Sequence, residues 1–323
     1  MAGLIATTLS NFAAMTRRTV LSRQLLILTL ASCLSAYAAT AQDFEDLTRA
    51  YPDSLCGSCA TWNTPQEPFQ IHHNSYYVGT RGLTAILIAS DEGHVLLDAA
   101  LPNSAPLIMA NIQSLGFQPS DIALIVNSHV HYDHAGGIAA FQAISGARVA
   151  ASPASAPVLE RGRVDASDPQ YGLHLDFPAI PNVERFAFGD TLRVGDIALV
   201  PHATAGHTPG GTTWSWQSCE GTHCLDIVYG DSQTPVSADG FRYTDSATYP
   251  TARADFERGF RTLEQLSCDI LITTHPGASS LWQRLANGPE GLLDDQACIK
   301  YAASARLRLV RRLRMEADAA HGN

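Results

Sequence analysis

Basic side chains are scarce in this sequence. Its 323 residues include 21 lysines and arginines against 31 aspartates and glutamates, which gives a formal net charge of −10 at pH 7. The first 41 positions hold three arginines and no acidic residue, so the rest of the chain is more acidic still. This charge balance argues against nucleic acid or an anionic membrane surface as a partner, because both bind basic patches. No motif implies a partner protein, and we expect a monomer.

Internal repeats, low-complexity tracts and linkers rich in Pro, Gly or Ser are also absent from the sequence after residue 41. The hydrophobic fraction of 46% is ordinary for a globular protein and excludes a disordered chain. We therefore predict a single domain over residues 42–323.

Residues 1–41 have the pattern of an export signal peptide, with basic residues up to Arg23, an apolar run and then small residues before Gln42. TRRTVLS has the paired arginines of a twin-arginine signal. Cleavage after ATA would release a soluble periplasmic protein, which we expect. LASC resembles a lipoprotein box, so a periplasmic lipoprotein anchored at Cys33 is the alternative.

Export makes disulfides possible, because the periplasm is oxidising. Cys219 and Cys224 flank a short loop between two strand-like runs and are predicted to form a hairpin disulfide. Cys268 and Cys298 flank a helical segment, so a disulfide between them would tie the last helix to a sheet.

The CxxC pair Cys56–Cys59 has no second CxxC with which to complete a structural zinc site. A surface disulfide between the two, or two independent thiols, are the interpretations that stay open.

The order of apolar segments predicts an α/β fold. SYYVGT, LTAILIAS and HVLLDAAL read as an antiparallel meander, followed by a helix from Pro102 and a buried strand over residues 121–128. The second half repeats strands, a helix from about Ala252 to Leu266, the strand DILITTH and a terminal helix from about Leu292. Two such halves predict a four-layer αββα sandwich with a site along one edge.

The stretch SHVHYDHAGG, residues 128–137, concentrates metal-binding side chains directly after the buried strand. Imidazole and carboxylate groups are the donors that zinc accepts. Alternation along an extended segment places His129 and His131 on one side and separates them from Asp133 and His134 at the turn. One loop can therefore face two metal ions.

Two further histidines follow later strands, His207 in GHTPGG and His275 in TTHPGAS. They complete two sets of three ligands, and we predict two zinc ions. The sets are His129, His131 and His207 for the first ion, and Asp133, His134 and His275 for the second.

Most other histidines are interpreted as ordinary structural residues, namely His72, His73, His94, His202, His223 and His321. His174 stays open, because it follows DPQYG in a loop that could overhang the site.

Through SHVHYDHAGG, AGHTPGG, YGDSQTP and TTHPGAS, the chain resembles the metallo-β-lactamase superfamily over nearly all of its length after the leader, and within it subclass B3. The resemblance implies hydrolysis of the β-lactam amide of penicillins, cephalosporins and carbapenems by a metal-bridging hydroxide, and hence antibiotic resistance. It assigns Asp133 to orienting that hydroxide. It also implies that Ser232 and Thr234 hold the substrate carboxylate and that Gln170 lines the groove.

The chain departs from the family pattern at two places. Arg81 stands where related sequences have a cysteine paired with one near Cys56, so the resemblance leaves that disulfide in doubt and makes Cys59 the candidate substitute partner. Asp231 could instead be the bridging aspartate of thioester or lactone hydrolases of the same fold, which is the alternative function. A zinc-binding protein without turnover is a third possibility, and open strand-end sites argue against it.

Overall fold

The structure is a computed structural model that describes residues 43–321. The chain divides into two compact units, Met1–Asp46 and Leu47–Asn323, and the account below concerns the second. The predicted export signal, Cys33 included, lies outside the described residues. None of the described helices is both long enough and apolar enough to span a membrane.

The first sheet has seven strands that lie side by side in sequence order. Neighbours from β1 to β4 pair antiparallel, and those from β4 to β7 pair parallel. Its strands are β1 Phe69–His72, β2 Ser75–Tyr77, β3 Ile86–Ile88, β4 His94–Leu97, β5 Ile122–Val126, β6 Arg148–Ala151 and β7 Val183–Arg185.

The second sheet has five strands in the order β12-β11-β10-β9-β8. Only the β11–β12 pair in it is parallel. Its strands are β8 Leu192–Val194, β9 Ile197–Ala203, β10 Thr212–Glu220, β11 His223–Gly230 and β12 Ile270–Thr273.

Eight α-helices accompany these sheets within Leu47–His321. They are α1 Cys59–Trp62, α2 Ala105–Ser114, α3 Tyr132–Ala135, α4 Ile138–Ser145, α5 Ala156–Arg161, α6 Ala252–Gln265, α7 Leu281–Leu285 and α8 Ala297–His321. Short 3₁₀ turns cover Pro102–Ser104, Pro119–Asp121, Pro276–Ser279 and Pro289–Leu292.

The terminal helix begins at Ala297, later than the predicted start near Leu292. Leu293 pairs with Ile270 in an isolated β-bridge, which holds this segment in an extended conformation. The Asp294 side chain then accepts the backbone N–H of Gln296 just ahead of the helix. Local pairing to the sheet therefore overrides the helical pattern of the sequence.

The two sheets pack face to face around one apolar core. Leu97 and Val126 of the first sheet meet Trp214, Tyr229 and Ile272 of the second in a single buried cluster. A second cluster covers the outer face of the second sheet. It joins Val228 and Leu271 to helix residues such as Phe256, Phe260 and Leu309. The predicted αββα sandwich is confirmed.

Four strands end at the edge where the candidate residues lie. β5 is buried along almost its whole length and is followed by Ser128 and the histidine-rich segment. β9 leads to His207, β11 to Asp231 and β12 to His275. Loops at these strand ends bring together residues that are far apart in the sequence.

The structure joins the six cysteines of this unit in three disulfides, Cys56–Cys59, Cys219–Cys224 and Cys268–Cys298. Cys219 and Cys224 are direct cross-strand partners in the β10–β11 hairpin. Cys268 precedes β12 and Cys298 lies in the first turn of α8, so this bridge ties the terminal helix to the second sheet.

We expect the double variant Cys219→Ser, Cys224→Ser to lose about 2 kcal/mol of unfolding free energy. The loss is at the low end for a disulfide because this bridge closes a very short loop. Zinc content should not change, since β11 separates this hairpin tip from Asp231 by about 25 Å of strand. Thermal unfolding and metal analysis of both proteins test this. Loss of zinc from the double variant would contradict it.

Candidate active site

The histidine-rich segment changes conformation in its middle. His131 is extended, and α3 begins at the next residue, so Asp133 and His134 lie in a helical turn. Gly137 follows at a very close approach to the Ala99 carbonyl, where a Cβ atom would collide. This change of direction places the two halves of the segment on different sides of one cavity.

The first candidate group consists of His129, His131 and His207, all buried. One nitrogen from each ring lies within 4.8 Å of the other two. The ring centroids are 4.7 to 4.9 Å apart and the rings are steeply inclined to one another. Three nitrogens thus converge on one point.

The second group, Asp133, His134 and His275, has the tighter geometry. The Nε2 atoms of the two histidines lie 3.3 Å apart, and Asp133 Oδ2 is 3.4 Å from His134 Nε2 and 3.3 Å from His275 Nε2. Ligands at 2.0–2.1 Å from a tetrahedral zinc ion are separated by about 3.3 Å. These donor atoms therefore fit one face of a zinc site.

A hydrogen bond on the outer nitrogen orients each ring of the first group. The outer Nδ1–H of His129 donates to Asp231 Oδ1 at 2.8 Å, and the outer Nε2–H of His131 donates to Asp168 Oδ2 at 3.0 Å. For His207, Nδ1–H donates to the Thr234 carbonyl at 2.8 Å. The inner nitrogens are left unprotonated, as metal ligation requires.

The second group has outer partners too. His275 Nδ1–H donates to the Gly82 carbonyl at 3.3 Å, and His134 Nδ1 faces Asp98 Oδ2 at 3.5 Å. Asp98 is fully buried, and it accepts hydrogen bonds from Ser128 and from the Tyr229 hydroxyl.

Burial keeps the first group neutral. It lowers the pKa of His129 and His131 well below the usual histidine value, with further lowering from neighbouring histidines. Burial likewise lowers the pKa of His207 to about 4. Burial alone would raise the pKa of Asp133, but His134 and His275 outweigh it and hold that pKa well below its usual range. Neutral imidazoles and an ionised carboxylate are the donor states that zinc binds.

Both groups open into one cavity of about 350 Å³. Ser232, Thr234 and Gln170 also line it, together with Trp62 and Leu173. Its lining includes no lysine or arginine. A larger cavity of about 820 Å³ elsewhere contains none of the candidate ligands, so the chemistry and not the size locates the site.

The candidate substrate residues contact the ligand histidines or their neighbours. Ser232 and Thr274 share a hydroxyl hydrogen bond of 2.8 Å, next to His275. Thr234 Oγ1 lies 3.3 Å from His207 Nδ1. Gln170 Nε2–H approaches His207 Nε2 at 3.4 Å.

Comparison with known proteins identifies the family. The sequence-family model of the metallo-β-lactamase superfamily matches residues 78–276. The chain belongs to the metallo-β-lactamase superfamily.

Among solved structures of this superfamily, the chain is similar to enzymes of subclass B3. The Rm3 metallo-β-lactamase is 49% identical, with a TM-score of 0.79, over 81% of this chain and 98% of that one. MEM-A1, a subclass B3 enzyme from a soil metagenome library, is 44% identical with a TM-score of 0.78, over 80% and 99%. MIM-1 from Novosphingobium pentaromativorans is 41% identical with a TM-score of 0.76, over 83% and 100%. The resemblance predicted from the motifs is confirmed.

Curated relatives are more distant. An N-acyl homoserine lactonase from Bacillus cereus is 26% identical over 153 residues, 38% of this chain and 54% of that protein. One from a Bacillus species is 25% identical over 150 residues, 39% of this chain and 53% of that protein. The chain thus spans about half the length of these two relatives.

In the alternative function Asp231 would bridge two metals. Its position in this fold is different. It is fully buried behind His129, to which its Oδ1 is hydrogen-bonded, and it is part of neither ligand group. It supports a ligand instead of lying between the two groups.

Among the remaining histidines, His174 lies at the site, where its ring stacks on His131. His72, His73, His94, His202 and His223 lie in neither ligand group, and the His321 side chain is outside the described residues. The sequence motifs do not indicate the supporting residues Asp98 and Asp168. Their only sequence signals were an acidic residue after an apolar run in HVLLDAAL and the acidic residue of DPQ.

We expect metal-free protein to lose stability as the pH falls from about 6.5 to about 4. Unfolded chain protonates His207 near 6.5, whereas the folded protein resists protonation down to its pKa of about 4. The unfolded state thus binds more protons in this window, so the free energy of unfolding decreases as the pH falls. Thermal unfolding of zinc-stripped protein at pH 4 to 7 measures this, with His207→Gln expected to flatten the slope. A constant melting temperature would contradict it.

Proposed function

We propose that this chain hydrolyses the β-lactam amide of penicillins, cephalosporins and carbapenems with two zinc ions, and so confers antibiotic resistance. This proposal rests on one observation, that two groups of three donor side chains open into the same cavity. Asp231 is hydrogen-bonded to His129 of the first group and does not lie between the two groups. The likeness to Rm3 over 98% of its length supports the same reaction.

Zinc, when bound, supplies a Lewis acid for the lactam carbonyl and lowers the pKa of a bound water. The protein supplies the positions. The two ligand groups hold their donors on either side of one cavity, and Asp133 lines it, so its carboxylate can orient the attacking water. No activated serine is needed for this reaction.

The β-lactam carboxylate requires hydrogen-bond donors at the site. No lysine or arginine lines the cavity, so hydroxyl groups and the zinc ions must attract this anion. Ser232 and Thr234 offer hydroxyls, and Gln170 offers an amide from another loop. We assign carboxylate binding to the two hydroxyls and groove lining to Gln170.

Location in the periplasm is part of the same proposal. Three disulfides in a unit of this size are typical of proteins from oxidising compartments. Release as a soluble monomer is the form that we propose, and anchoring at Cys33 is the alternative.

Hydrolysis of a carbapenem by residues 42–323 tests the proposed function. Loss of carbapenem absorbance should be rapid and should stop after treatment with a zinc chelator, returning when zinc is restored. A homoserine lactone and a glutathione thioester serve as comparison substrates. Turnover of either of these alone would replace the proposed function with the alternative one.

The variant Ser232→Ala tests the carboxylate assignment. It removes one hydroxyl donor, so we expect KM to rise about tenfold with kcat nearly unchanged, the loss of one hydrogen bond to a charged group. Steady-state kinetics with a penicillin measure both constants. Unchanged constants would exclude this role for Ser232.

A further inference from the structure

His174 contacts His131, a residue of the first candidate ligand group, and no role has been assigned to this contact. Its ring lies over that of His131, with centroids 3.7 Å apart and an interplanar angle of 24°. The ring pairs within the two ligand groups are 4.7 to 4.9 Å apart and much more steeply inclined. His174 and His131 are therefore a stacked pair.

Stacking excludes His174 as a further ligand beside His131 and Asp168, although the three side chains are close together. Two imidazoles on one tetrahedral zinc ion have centroids about 5 Å apart, because their ring nitrogens must converge. In a stacked pair the two rings lie in nearly parallel planes, so their nitrogen lone pairs, which lie in those planes, cannot converge on one ion. The geometry of His131, Asp168 and His174 therefore does not fit a shared zinc ion.

The polar atoms of His174 do not explain its position either. Both ring nitrogens are buried without a hydrogen-bond partner. An unsatisfied buried polar group costs free energy, so these nitrogens oppose the observed position. The face of the ring is the part that makes a favourable contact.

The contact acts on a torsion that the other partner of His131 restrains only in part. Asp168 holds Nε2, which lies at the far end of the ring from Cβ. Rotation about Cβ–Cγ carries Nδ1 through a wider arc than Nε2, because Nδ1 lies farther from that axis, and this torsion has a broad energy minimum. A ring stacked on the face of His131 opposes that rotation directly.

The loop that carries His174 is itself anchored. The Tyr51 hydroxyl donates to the Asp176 carbonyl at 2.8 Å, and the Ala238 N–H donates to the Pro169 carbonyl at 2.8 Å. The His174 ring also packs against Tyr132 at 5.4 Å. These contacts give the stacked ring a fixed support.

We propose that His174 is a positioning residue that clamps His131, so that Asp168 fixes the far end of the ring and His174 fixes its plane. The inference rests on the proposed zinc site, because the clamp directs Nδ1 of His131 toward the first ion. Loss of the stack should weaken zinc binding at the first site about threefold to tenfold.

Zinc affinity measured in a His275→Ala background tests the clamp, since only the first group is then complete. Competition with a chelator gives the dissociation constant without any substrate. His174→Ala should raise it threefold to tenfold. His174→Phe keeps the stack and removes the unsatisfied nitrogens, so it should stay within twofold of the parent and melt at an equal or higher temperature.

His202→Ala is the matched control for general loss of stability. His202 is a partly buried histidine in β9 that is hydrogen-bonded to Ser215, away from both ligand groups. This variant should lower the melting temperature and leave the zinc dissociation constant unchanged. If His202→Ala weakened zinc binding as much as His174→Ala does, the effect of His174→Ala would be one of general stability, and the clamp would be overturned.

Two other outcomes overturn the clamp while leaving the proposed function intact. One is parental zinc affinity in His174→Ala, and the other is equal weakening in His174→Phe and His174→Ala. If the protein with all six ligands bound no zinc, the proposed function would fail, and the clamp would fail with it.

Discussion

Buried acceptors behind the metal-facing histidines are the constraint on which the site depends. A neutral imidazole can carry its proton on either nitrogen, and only the unprotonated one can bind a metal. Asp231 and Asp168 hold the protons of His129 and His131 on the outer nitrogens, and a backbone carbonyl does so for His207. The inner nitrogens are then all acceptors. The first group of histidines thereby offers its free nitrogens to a cation.

Hydrogen bonds between the two sheets keep this arrangement in place. The Trp214 indole donates to the Asn127 carbonyl, and the Thr212 N–H donates to the Ser128 carbonyl, at the start of the histidine-rich segment. Tyr229 reaches across from β11 to Asp98. Since the core beneath these contacts is closely packed, the strand ends have little freedom to shift.

The charges of the site bear on how it would bind the anionic substrate of the proposed function. The cavity has no lysine or arginine in its lining, and the protein as a whole is acidic. An anionic substrate would therefore be poorly attracted by the protein alone, and bound cations must reverse the local potential. In the proposed function, substrate binding and catalysis would then depend on the same metal ions, with Ser232 and Thr234 assigned to the substrate carboxylate.

The sequence by itself determined the sandwich fold and the two candidate ligand groups, because spacing within HxHxDH and positions after apolar strands are local properties. Tertiary structure alone decided the residues that orient those ligands. Asp231 is 102 positions from His129, and Asp168 is 37 positions from His131, so no periodicity connects them. The stack of His174 and the late start of the last helix also arise only after folding. Each depends on a contact between residues that are distant in the sequence, His174 with His131 and Leu293 with Ile270.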